Sequence, residues 1–102
     1  MNEYNIFPQF VINMTEGEIK KERSIARDLR NSTWWKRKCA GGTCYYCNAN
    51  VPAKMLTMDH IVPVARGGRS VKSNIVTACK TCNNKKKYLL PIEWEEYIRG
   101  LG

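Results

Sequence analysis

The chain has 102 residues, with 17 Lys and Arg against 9 Asp and Glu, a formal charge of +8 and 43% hydrophobic residues. A chain of this size buries only about 60–65% of the surface its unfolded state exposes, so one small domain reinforced by a metal or a disulfide is expected. No apolar run approaches the ~20 residues that cross a bilayer, which excludes a membrane span, and the positive excess favours a polyanionic partner, nucleic acid first.

Residues 1–14 mix Asn, Pro and aromatics without a period and read as an N-terminal arm; they lack the basic start and unbroken apolar stretch of a secretory signal, so a reducing, cytoplasmic setting is the expectation. Thr15 followed by Glu18 has the spacing of a capping box, and no Pro or Gly interrupts the chain from there to Lys38, which predicts one long helix over 15–39. Ile19, Ala26, Leu29 and Thr33 supply its apolar spacing, and Gly41 and Gly42 stop it. Its basic residues, Lys20, Lys21, Arg23, Arg27, Arg30, Lys36, Arg37 and Lys38, suit either phosphate tracking or a solvated face. Thr43 to Asn48 forms a tight turn. Met55 to Val62 reads as a short buried strand, Pro63 to Ser73 as a glycine-bearing loop, Ile75 to Ala78 as a second strand, and Lys80 to Tyr88 as a helix. Pro91 opens a last helix over 91–99, with Trp94, Tyr97 and Ile98 as its packing face.

Cys44-x-x-Cys47 and Cys79-x-x-Cys82 are two identical pairs. In a reducing compartment four thiolates suit the closed tetrahedral shell of one structural Zn²⁺ better than disulfides. The segment between the pairs exceeds the ~15–20 residues of a simple zinc ribbon, so it must itself be folded. Buried free cysteines or a redox pair are the alternative. Cys39 has no partner in this scheme and suits a small buried position.

Asp59-His60-Ile61-Val62-Pro63, then Gly67-Gly68, then Asn74, then Cys82-Asn83-x-x-Lys86 together resemble the HNH endonuclease family, in its zinc-bearing, four-cysteine branch. The resemblance covers roughly Cys44 to Lys86, with Asn83 standing for the third letter. It implies a small ββα-metal (His-Me finger) core over 43–90, stapled by the four-cysteine zinc site; with the long helix before it and the short helix after it, both outside the motif, the expectation is an α+β fold in one nuclease domain over 15–102.

The resemblance implies metal-dependent hydrolysis of DNA phosphodiesters, by nicking or double-strand cleavage. His60 matches the general base, a role that a neutral imidazole of pKa ~6.5 can fill at neutral pH. Asp59 and Asn83 match the ligands of one catalytic divalent metal, and their oxygens suit Mg²⁺ or Mn²⁺. Asn74 matches the residue that ties the loop and holds the histidine. A regular strand points Asp59 and His60 to opposite faces, so the strand must twist, bulge or end there. Lys86 and Lys87 follow Asn83 on one helix face, where phosphates beside the cut would meet them, with Lys85 next to them and Arg66 and Arg69 in the glycine loop as further candidates. A non-catalytic zinc module that binds nucleic acid and an RNase are the rival readings. A chain this short has little room for a separate specificity domain, so low sequence preference is expected unless a partner protein supplies targeting.

Overall fold

A computed structural model of the chain describes residues 14–101. The arm expected over residues 1–14 lies outside the described residues except for Met14. The capping box forms at the first helix: the Glu18 amide donates to Thr15 Oγ1 at 3.0 Å and the Thr15 amide to Glu18 Oε1 at 3.4 Å. Helix α1 runs from Glu16 to Arg30 and then stops.

The single long helix is therefore two, because α2 restarts at Thr33 and runs to Ala40. Ser32 causes the break. Its hydroxyl donates to the Leu29 carbonyl and accepts from the Trp35 amide, which gives the backbone a side-chain partner on each side of the gap. The new direction sets Trp35 and Cys39 into a core with Leu56 and Ile75, flanked by Leu29, Trp34, Val51 and Met58.

Strands β1 (Leu56–His60) and β2 (Ile75–Cys79) pair antiparallel, with Leu56 opposite Cys79 and His60 opposite Ile75. Directly opposed residues share a face, so Leu56, Met58, His60 and Ile75 look one way and Thr57, Asp59, Val76 and Ala78 the other. The first face meets α2. The second carries helix α3, Lys80–Lys86, which closes the ββα unit and packs Cys82 with Ala78 and Cys44. Helix α3 ends short of Tyr88 because Lys87 takes a φ of +46°.

Between the strands, Gly68 has no substitute: a Cβ there would sit 1.7 Å from the Val62 carbonyl oxygen, and Gly67 before it takes φ +96°. Helix α4 runs from Pro91 to Leu101, beyond the expected end at residue 99. Trp94 alone of its three expected packing residues is buried, set edge-on against Tyr46, while Tyr97 stacks on Trp94 and stays exposed, as does Ile98.

Candidate active site and metal centre

The four sulfurs of Cys44, Cys47, Cys79 and Cys82 lie within 4.8 Å of one another, and Cys47 Sγ and Cys79 Sγ are 3.9 Å apart. A tetrahedron built on Zn–S bonds of ~2.3 Å has edges of about 3.8 Å, so the set fits one ion with little closure. Backbone geometry prepares it. Asn48, at φ +60°, turns the first pair back so that the Cys44 amide reaches the Ala49 carbonyl, and Cys79 caps α3 by accepting from the Cys82 amide. Burial raises the Cys44 thiol, but hydrogen bonds from the backbone of Cys79, Cys47 and Tyr46 outweigh it and bring the thiol down to about 7. Burial pushes Cys82 up, as do the neighbouring sulfurs; a cation among them removes that penalty, since ligation takes thiolates. Cys39 stands apart in the core, with its thiol raised by burial.

At the other end of the ribbon β1 stops at His60, which resolves the problem of opposite faces: Asp59 and His60 both line one open cavity of about 200 Å³, with Arg23, Pro63, Val64, Lys87 and Tyr88 around it. His60 Nε2 lies 2.9 Å from Ser70 Oγ, and Ser70 Oγ donates to the Glu22 carbonyl at 2.6 Å. Serine has one hydroxyl proton and a carbonyl has none. Ser70 must therefore accept from His60 Nε2–H, which leaves the lone pair of the neutral imidazole on Nδ1. Among the described residues Nδ1 has no hydrogen-bond partner. Burial depresses the imidazole below its usual value; Asp59 and Glu22 oppose that, while Lys86 and Arg30 add to it.

Asp59 is buried, and its Oδ2 takes the Tyr46 hydroxyl and the Lys86 ammonium, the latter at 3.2 Å. Lys86 also donates to the His60 carbonyl at 3.1 Å. Tyr46 keeps its proton, because burial and then the hydrogen bond and charge of Asp59 push the phenol far up. Asp59 Oδ1 is left without a described partner. Asn83 spends its amide nitrogen on Thr57 Oγ1 at 2.8 Å, which leaves its carbonyl oxygen as the atom available for ligation, on the strand face that Thr57 shares with Asp59. It is not among the residues lining the cavity. A carboxylate oxygen and an amide oxygen are hard donors, and they suit Mg²⁺ or Mn²⁺. Asn74 clamps the loop: its Oδ1 accepts from the Val62 amide at 2.9 Å, and its Nδ2 donates to Val62 and Arg69 carbonyls.

Two of the five expected phosphate-binding cations are occupied inside the protein. Lys86 is 0% exposed and committed to Asp59, so the helix position that was to meet DNA faces inward instead. Arg66 is buried too, bridging both Glu93 oxygens at 2.9 and 3.1 Å and the Tyr88 carbonyl at 3.3 Å, which ties the glycine loop to α4. Burial opposes ionisation of Glu93, but Arg66 and the Leu90 amide overcome it and hold that carboxyl below its usual value. Lys85 and Lys87 are exposed, and Arg69, 64% exposed, pairs with Glu22 at 3.3 Å.

Sequence reasoning passed over Tyr46, Ser70 and Glu22, and named Arg23 only among the basic residues of the first helix. For Glu22 a signal existed: it sits three residues after Ile19 and four before Ala26, a carboxylate inside the apolar stripe, and burial there demands a partner. Ser70 and Tyr46 carry no such mark.

A two-stranded ribbon backed by a short helix, with a histidine at the strand end and a four-cysteine cluster at the opposite end, is a ββα-metal core. The family model for HNH endonucleases matches residues 44–94, half of the sequence, and the chain belongs to that family. No curated protein matches it.

Proposed function

We propose that the chain is a metal-dependent DNA endonuclease that hydrolyses phosphodiester bonds by direct attack of water. The observation that carries this reading is the proton count at His60: Ser70 holds Nε2–H, so Nδ1 is the basic atom, in a cavity shared with Asp59. His60 takes the proton of the attacking water at Nδ1 as general base. Asn74 and Gly68 fix the loop that carries Ser70, and Ser70 fixes the ring. Asp59 and Asn83 would hold a divalent ion, which when bound supplies positive charge to the scissile phosphate and the leaving oxygen. Lys86 and Tyr46 keep the Asp59 carboxylate oriented through Oδ2 and leave Oδ1 for that duty. The four cysteines hold Zn²⁺ as a structural ion, remote from the reaction.

The experiment is cleavage of supercoiled plasmid, with matched RNA alongside, in the presence and absence of Mg²⁺ or Mn²⁺. Metal-dependent conversion of plasmid to open-circular or linear form supports the reading. Binding without conversion makes the chain a zinc module for nucleic acid, and preferential cutting of RNA makes it an RNase.

A further inference from the structure

Burial of Lys86 and Arg66 removes two cations from the face expected to meet DNA; of the exposed cations, Lys87 and Arg23 line the cavity, and Arg23 belongs to a larger basic group on α1. Lys20, Arg23, Arg27 and Arg30 are all exposed on α1. At 100° per residue they fall within an arc of about 80°, bordering the face that buries Glu22 and Ala26. Among the described residues none of the four is in an ion pair. The stripe is anchored at the site by two of its members: Arg23 lines the cavity with Asp59 and His60, and Arg30 Nη2 lies 3.9 Å from Met58 Sδ, on the strand face that carries His60. Helix α1 cannot drift, because Glu22 is locked under Ser70 and Arg69.

We infer that this face of α1 is the phosphate track of the enzyme, on which Lys20, Arg27 and Arg30 follow the backbone of duplex DNA and from which Arg23 enters the cavity beside the scissile phosphate. This rests on the nuclease reading and adds the surface that delivers the substrate. From Lys20 to Arg30 the helix rises about 15 Å, at 1.5 Å per residue, which matches the axial rise of roughly four phosphates of one duplex strand, at ~3.4 Å of DNA axis each. Arginine suits the task, since its planar fork matches two phosphate oxygens at once.

The test measures the affinity of the zinc-loaded full chain for a labelled duplex across a NaCl series with no Mg²⁺ or Mn²⁺ added and no chelator present, so that no cutting intervenes and the zinc stays in place. Joint replacement Lys20→Gln, Arg27→Gln and Arg30→Gln should reduce the slope of log K against log[salt] by up to about 2.7, at ~0.9 per contact, with the unfolding midpoint unchanged. Arg23→Gln alone should slow single-turnover cleavage with saturating protein more than it weakens binding. A control replacing Lys80, Lys85 and Lys87 with Gln should change the slope less than the α1 triple. An unchanged slope in the α1 triple, or a larger change in the α3 control, overturns the inference. If wild type cuts plasmid while the α1 slope is unchanged, the track is wrong and the nuclease reading stands; if the slope falls but wild type with metal cuts nothing, the track stands and the nuclease reading fails.

Discussion

At one end of the β1–β2 ribbon Leu56 faces Cys79 and four sulfurs crowd together; at the other His60 faces Ile75 and is held by Ser70, which Glu22 fixes in turn, beside a loop that Asn74 clamps. The sulfur end draws on two short motifs and one helix start. The histidine end draws on α1, far away in sequence, and on a glycine loop. On the proposed function, metal ligation at the sulfur end would supply far more stabilising free energy than any hydrogen bond, so the fold would be secured away from the chemistry. The proposed reactive end is left to weak, separately adjustable bonds. Damage to the first end should unfold both, and damage to the second should spare the first.

The largest effect is expected from Cys79→Ala. A structural zinc site contributes on the order of 10 kcal/mol or more of apparent binding free energy, so this change should abolish cooperative unfolding, and metal analysis of wild type should find about one zinc per chain. A zinc-free protein that melts cooperatively would break the comparison. Next in size is Lys86→Met, which leaves the buried Asp59 carboxylate facing an apolar chain; stability measured in urea should fall by roughly 3 kcal/mol. An unchanged midpoint would mean that Asp59 finds another cation.

Smaller again is Ser70→Ala. Losing the acceptor at His60 Nε2 frees the ring to change tautomer, and turnover should fall about tenfold, the worth of one hydrogen bond of ~1.4 kcal/mol, with zinc content unchanged and stability lowered by about 1 kcal/mol through loss of the bond to the Glu22 carbonyl. Recovery in Ser70→Thr separates the hydroxyl from the packing. The smallest effect is on pH. His60 is depressed in the folded protein, so the acid limb of activity should have its midpoint below ~6.5. The unfolded chain takes this proton first as pH falls through ~6.5, so His60 costs no stability above that pH and stability declines below it. An acid limb above ~6.5 would show that the negative charge of Asp59 and Glu22 outweighs burial at His60.

The ribbon, α3 and the cluster of four cysteines were legible because each is written in local spacing: paired cysteines, two short aliphatic runs, and a helix start at Lys80. The break at Ser32 was not, because a capping hydroxyl stops a helix as well as glycine or proline and leaves a fainter mark. The fates of Lys86 and Arg66 were invisible for a different reason. A lysine reads as surface until its partner is known, and Asp59 and Glu93 reach them only through the tertiary fold. Asp59, His60, Asn74 and Asn83 stood out by order and spacing, whereas Ser70 and Glu22 meet through α1, outside the matched residues 44–94.

The central claim is that His60 acts as the base, and single-turnover cleavage of supercoiled plasmid by His60→Ala at saturating Mn²⁺ tests it most directly. The account predicts a rate reduced by ~10² to 10⁴ with fold, zinc content and DNA affinity retained, and no recovery as more metal is added. Cleavage at the wild-type rate would contradict it.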